Sequence, residues 1–356
     1  MLYTKKQYFM LSLLAAKYDE QGRYKNPIIK LHLLTSVFKN SLDNNINIFE
    51  VNDEKLQKLI ENTFNKESRY YKNRVRNSKQ VLLDTEIIEE IENQSVKEMG
   101  FCDKEEISFL TYEDKKYPER LRKIELSPVI IFYKGKFPKD KELKNSYAVI
   151  GSREIDEKGK QVAYSFGRLL SENGYWNISG LAEGSDAYGH LGSVKTQGLT
   201  GAILAHGLAE PIYPSSNNNL ADKIINSGGF LLSELPPSIK VQSHFFTRRD
   251  RLQSGLTKGV LVVETGEKGG TLHTVNYALK QNKFVGVWKP SDYNDKNEYI
   301  KGNLMLLQIL KPTNKFKIKS KKKLNKIIAI RDKDDILKLL DNETNTGRAD
   351  LFTDIE

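Results

Sequence analysis

At 356 residues the chain is long enough for two domains and a tail, and 38% hydrophobic residues support a globular protein with a substantial core. A net charge of +10 favours a polyanionic partner, and a single cysteine, Cys102, excludes an internal disulfide and the cysteine-rich zinc sites. No run approaches the roughly 18 apolar residues of a membrane span, so the expectation is a cytoplasmic protein without metal or cofactor.

Residues 1–108 read as a mainly helical N-terminal domain of unassigned role. Met1 to Arg23 has the pattern of an amphipathic helix rather than a cleaved signal. Apolar residues recur at helical spacing in Ile29, Leu31, Leu33, Leu34, Val37 and Phe38, and again in Val81, Leu82, Ile87, Ile88 and Ile91. Between them, Arg69 to Lys79 interleaves basic residues with Tyr70 and Tyr71. That stretch reads as a solvated helix face, with a stacking and phosphate contact as the alternative.

Residues 109–312 read as an α/β domain with a Rossmann-like, mostly parallel sheet and crossover helices. Short apolar runs predict strands at Val129 to Tyr133, Tyr147 to Ile150, Tyr175 to Ile178, Gly201 to Ala205, Phe230 to Leu232, Val260 to Glu264 and Phe284 to Trp288. Their unbroken apolar character implies burial on both faces. Val162, Phe166, Leu169 and Leu170 make one helical stripe that stops at Asn173-Gly174, completing a strand, helix, strand unit. Residues 313–356 read as a lysine-rich linker and short tail. The seven lysines between Lys315 and Lys326 suggest a solvated run or a basic arm, Asp334 to Leu340 a last helix, and residues 342–356 no order.

Four segments carry chemistry. Gly151-Ser152-Arg153 follows a strand and precedes a helix, joining close backbone approach, a hydroxyl and a guanidinium fork suited to phosphate. Ser179 to Asp186 repeats that placement, with Gly180 and Gly184 spaced to wrap an anion and Asp186 able to cap the next helix. His190, alone on that helix, reads as a packed residue. In Phe245 to Leu252, the aromatic face of Phe246 suits an unpaired base while Arg249 and Arg251 suit phosphates. Asp250 between them points to an internal ion pair, with one arginine serving the fold. Lys268, Gly269, Gly270 and Thr271 form a glycine-rich turn into a helix, and the lack of a Gly-Lys-Ser/Thr ending excludes P-loop hydrolysis.

In order, these segments resemble the DNA-processing protein A (DprA/Smf) family. The resemblance rests on Gly151 to Arg153, Ser179 to Asp186 with His190, Thr200 to Leu204, Tyr213-Pro214, Ser233-Glu234, Arg249 to Arg251 and Gly269 to Thr274. It covers roughly residues 112 to 290. Ser185, Asp250, Gly269 and the Trp288-Lys289-Pro290 ending depart from the family pattern. The resemblance implies non-catalytic binding of single-stranded DNA, and assistance to a RecA-type recombinase in DNA uptake or recombination. It carries the binding role onto Arg153, Arg249, Arg251, Phe246 and the Gly269 to Thr271 turn; a homodimer is left open. Two other readings stand beside it. One is a sensor of a nucleotide-derived signal, with phage defence as its setting, and the other a phosphoribohydrolase-like enzyme using Glu264 or Glu234.

Overall fold

The computed structural model describes residues 1–16, 29–63, 80–196, 198–291, 297–311 and 320–341. The basic stretch Arg69 to Lys79, the start of the lysine run and residues 342–356 lie outside them. Nine strands share one sheet: β1 (Ser108–Thr111), β2 (Ile130–Gly135), β3 (Ser146–Ile150), β4 (Trp176–Ser179), β5 (Thr200–Ile203), β6 (Phe230–Ser233), β7 (Gly259–Val262), β8 (Phe284–Trp288) and β9 (Ile327–Ile330). Their order is β1-β2-β6-β5-β4-β3-β7-β8-β9. The pairs β1/β2 and β2/β6 are antiparallel and the remainder parallel.

The longer helices are α1 (Lys5–Leu14), α2 (Leu31–Asp43), α3 (Asp53–Thr63), α4 (Thr85–Lys104), α5 (Glu157–Glu172), α6 (Ser185–Val194), α7 (Asn218–Asn226), α8 (Ser243–Leu256), α9 (Thr271–Lys280) and α10 (Lys333–Asp341). Strand β3 shows why both sheet faces are covered. Tyr147 and Val149 enter a core with Phe166, Leu169 and Leu170 of α5, while Ala148 and Ile150 enter another with Leu272, Val275 and Leu279 of α9. Successive side chains point to opposite faces, so a strand between two helical layers is apolar at every position.

All seven predicted strands are present within a residue or two of their expected ends. The two edge strands were not foreseen. Strand β9 arises from the segment expected to be a lysine-rich linker, while helix α10 falls where a last helix was expected, at Asp334 to Leu340. Ile330, Ile336, Leu339 and Leu340 are buried in the core that holds Val149, and the Tyr175 hydroxyl donates to the Leu340 carbonyl at 3.1 Å.

The N-terminal helices are not set apart from the sheet. In α1 every side chain from Gln7 to Leu14 is buried, unlike the half-wet helix its composition suggested. Phe9 meets Phe109 and Phe132 edge-to-face, with ring centroids 5.1 and 5.3 Å apart, and one core contains Phe9, Leu13, Phe132, Ala202 and Leu231 together. Burying each such side chain contributes roughly 1.5–3 kcal/mol. The helix start is fixed by a capping box, in which the Thr4 hydroxyl accepts from the Gln7 amide at 3.2 Å and the Gln7 side chain accepts from the Thr4 amide at 2.9 Å.

Between β3 and β7 the strand order reverses: the chain proceeds outward through β4, β5 and β6 on one side and through β8 and β9 on the other. Loops leaving the carboxyl ends of β3 and β7 therefore diverge, and such a divide opens a crevice.

Candidate functional site

A cleft of about 550 Å³ occupies that divide. Its walls are Ile150 to Glu154 at and after the end of β3, Gly266 and Gly269 to Thr271 leading from β7 into the start of α9, and Phe246, Arg249, Asp250 and Gln253 of α8. The α8 residues stand at i, i+3, i+4 and i+7, one face of a helix. Thr274 of α9, with Ala182, Asp186, Glu298 and Tyr299, completes the lining. The structure thus brings together Gly151, Ser152, Arg153, Phe246, Arg249, Gly269, Gly270 and Thr271 from the expected set. Lys268 is exposed on the same loop but does not line the cleft.

Arg251 is a correction. Helical periodicity places Arg248 and Arg251, three residues apart, on the side of α8 away from the cleft, where both meet Glu234 at the end of β6. Arg251 is 2% exposed, and its Nη1 and Nη2 donate to the two Glu234 carboxylate oxygens at 2.7 and 2.5 Å. Arg248 Nε donates to the same carboxylate at 2.7 Å, and its Nη1 to the Ala15 carbonyl at 2.9 Å. Burial alone would raise the Glu234 pKa, but the two guanidiniums outweigh it and hold the carboxylate at about 2. Arg249 remains at the cleft floor, with Nη1 donating to the Ile203 carbonyl at 3.1 Å and Nε 3.6 Å from Asp250 Oδ1.

Gly180 and Gly184 are a second correction, since neither lines the cleft. A β-carbon on Gly180 would collide with the Arg249 guanidinium and the Asp186 carboxylate, and Gly184, at φ +72°, backs directly onto the Ser152 and Arg153 carbonyls. These glycines let the two loops press together rather than wrap an anion. Gly151 has a similar constraint, because a β-carbon there would strike Ser185 Oγ and lie 2.8 Å from the Glu264 carbonyl.

The supply of anion-binding groups is uneven. The Ser152 amide already donates to the Glu264 carbonyl at 2.7 Å, and the start of α5 is capped by Asp156, which accepts from the Gly159 amide at 2.8 Å. The β3 side therefore offers the Ser152 hydroxyl and Arg153. Helix α9 begins after Gly270 with no side-chain cap, so its amino end supplies partial positive charge to the other wall. Arg153 is exposed, and its guanidinium lies 5.0 Å from the Phe246 ring centroid, within cation–π range. The partly exposed Tyr213 ring stands 5.8 Å from Phe246.

Sequence reasoning did not place Asp186, Gln253, Glu298 or Tyr299 in the site. It treated Asp186 as a cap and Asp250 as an ion-pair partner. Burial pushes the Asp186 carboxyl up to about 6 against the pull of Arg249. Burial also raises Asp250 to about 7, with Asp186 adding repulsion and Arg249 opposing it. His190 is a core residue, as expected: it is fully buried between the Thr200 hydroxyl at 2.6 Å and the Gly180 carbonyl at 2.5 Å, and burial lowers it to about 4. Among the described residues no His, Cys, Asp and Glu grouping could hold a metal, and no helix is long and apolar enough to cross a membrane.

Glu264, behind the cleft, gives a pH prediction. Burial, then repulsion from Asp156, raises it from 4.5 to about 7, and its Oε1 has no hydrogen-bond partner. Between those values the folded chain holds a proton that the unfolded chain has released, so stability falls as pH rises through this window. Glu264→Gln should therefore raise the melting temperature at pH about 8 and change it little at pH about 5. Equal shifts at both pH values would contradict this account.

Comparison with known proteins bears on the family and the fold. The family model described as DNA recombination-mediator protein A matches residues 108–310. DNA processing protein DprA of Bacillus subtilis is 36% identical over 182 residues, covering 50% of this chain and 59% of that protein. Protein Smf of Borreliella burgdorferi is 34% identical over 165 residues, covering 46% and 52%. The chain thus spans between half and three-fifths of these relatives. The X-ray structure of DNA processing protein A from Streptococcus pneumoniae shares the fold with a TM-score of 0.67 at 21% identity, across 95% of this chain and 98% of that one. A Helicobacter pylori structure, whose subject is the single-stranded DNA binding mode of its DNA processing protein A, has a TM-score of 0.53 at 21% identity over 68% of this chain and 98% of its own. With more than half its length matched by the family model, and with the loops at the β3/β7 divide carrying the motifs, the chain belongs to the DNA recombination-mediator protein A (DprA/Smf) family.

Proposed function

We propose that this chain binds single-stranded DNA in the cleft between β3 and β7, without catalysis. The observation that carries the reading is the cleft's pairing of two anion-seeking walls with an aromatic ring: Arg153 stacked on Phe246 at 5.0 Å, and the uncapped start of α9. Phosphates would lie against Arg153, the Ser152 hydroxyl and the Gly270-Thr271 turn, with an unpaired base near Phe246. The strand-binding Helicobacter pylori relative supports the ligand class. The family description, a recombination mediator, supports delivery of the bound strand to a RecA-type recombinase. A hydrolase reading draws no support from Glu234 and Glu264, which do not line the cleft; the first is held by two arginines and the second lies behind Gly159.

The test is titration of the purified chain with single strands, duplex and mononucleotides over a range of salt. Single strands should bind more tightly than duplex, with log K falling against log salt by about 0.7 per phosphate engaged. Tight mononucleotide binding with no DNA binding would select a nucleotide sensor instead. Equal affinity for duplex and single strand would leave only general attraction to the lysine-rich surface.

A further inference from the structure

The face that α8 turns to the cleft is unlike a phosphate wall. Beside the buried Arg249 it presents a ring, a carboxyl and an amide: Phe246, Asp250 and Gln253. A carboxylate repels a phosphodiester, so Asp250 is misplaced for holding a backbone and suited to a ligand's hydrogen-bond donors. Its orientation is fixed from behind. With the Gln253 amide turned to satisfy its neighbours, the amide oxygen accepts from the Gly180 N–H at 2.6 Å and from Arg249 Nη1 at 3.2 Å, and the amide nitrogen donates to Asp250 Oδ1 at 3.2 Å. Arg249 Nε stands 3.6 Å from the same oxygen. A carboxylate has about four lone-pair sites, so acceptor capacity remains on both oxygens.

Unpaired DNA offers donors only on its bases. Guanine alone places two donors, N1–H and the N2 amino group, side by side on its Watson–Crick edge, matching two oxygens of one carboxylate. Adenine and cytosine set one amino donor beside an acceptor, and thymine has one imide donor between two acceptors. We infer that Asp250 reads the Watson–Crick edge of an unpaired guanine lying beside Phe246, making this interface selective among bases. The inference rests on the single-stranded DNA reading above.

The groups facing Asp250 are Arg249 on its own helix, Asp186 from α6 and Arg153 from the β3 loop. Since burial raises Asp250 to about 7, the carboxylate that guanine requires forms above neutrality and is lost below it.

The experiment compares dodecamers of alternating thymidine and guanosine, alternating thymidine and cytidine, and thymidine alone, in lithium buffer to suppress guanine quartets. At pH about 8 the guanine-containing strand should bind about tenfold more tightly than the others, within the range of one bidentate base contact. The ratio should fall to about one in Asp250→Asn, and at pH about 5.5 in the unsubstituted chain. Equal affinities for all three strands at the higher pH, or a preference that survives Asp250→Asn, would overturn the inference while leaving strand binding intact. Failure to bind even the thymidine strand at low salt would overturn both readings. Should Asp250→Asn fail to fold, the comparison of the three strands at pH about 8 in the unsubstituted chain still decides, since equal affinities there would overturn the inference.

Discussion

Arg251→Ala should destabilise the protein by about 3–5 kcal/mol, because it leaves the buried Glu234 carboxylate with half its compensation. The pair is bidentate and Arg251 is 2% exposed, so little water can replace the lost guanidinium. In the intact protein the Glu234 pKa is lowered from 4.5 to about 2. The associated stability is present above about 4.5 and is lost as pH falls toward 2, since the unfolded chain takes up its proton first. In Arg251→Ala burial regains weight, the Glu234 pKa rises, and part of that acid-side loss moves toward neutrality. Chemical denaturation at pH about 7 and about 4 measures both effects. A midpoint unchanged at neutral pH would show that Glu234 is served by Arg248 alone.

Arg153→Ala should have the opposite profile, with single-strand affinity reduced about 10- to 150-fold and a melting curve nearly superimposable on the parent. Its guanidinium is exposed, and its stacking on Phe246 contributes only about 0.5–1 kcal/mol to the fold. A charge-assisted contact to a phosphate contributes about 1.5–3 kcal/mol of binding, which gives the stated range. Affinity unchanged at moderate salt, measured on a folded variant, would move the anion site to the α9 end of the cleft.

These two arginines also mark what sequence could and could not tell. The loops at the carboxyl ends of β3 and β7 were legible because glycine, hydroxyl and arginine follow an apolar run and precede a helical stripe, a pattern with few other uses. Arg249 and Arg251 were read as equals because they are neighbours in the chain. A helix turns about 100° per residue, so they fall on different faces. The signal that separates them is Ser233-Glu234, a carboxylate at a strand end that needs a buried cation. Gly180 and Gly184 misled for a related reason: a glycine that admits a ligand and one that admits another loop look identical in sequence. Strand β9, the apolar run Ile327 to Ile330, was overshadowed by the lysines before it. Strand β1 is only half buried, so its apolar character is too weak to stand out. Glu298 and Tyr299 reach the cleft from a segment with no periodicity to read.

The hydrogen bond from Arg248 to the Ala15 carbonyl joins groups 233 residues apart, and the Ser12 hydroxyl likewise donates to the Glu234 carbonyl at 3.5 Å. At a synthesis rate of roughly 5–20 residues per second, α1 waits on the order of ten to fifty seconds before those partners exist. During that interval Phe9, Leu11, Leu13 and Leu14, all fully buried in the finished protein, have only the neighbouring N-terminal helices and, once they are made, β1 and β2 to shelter them, and a chaperone that binds apolar helices would find its substrate there. An element made early is seated late.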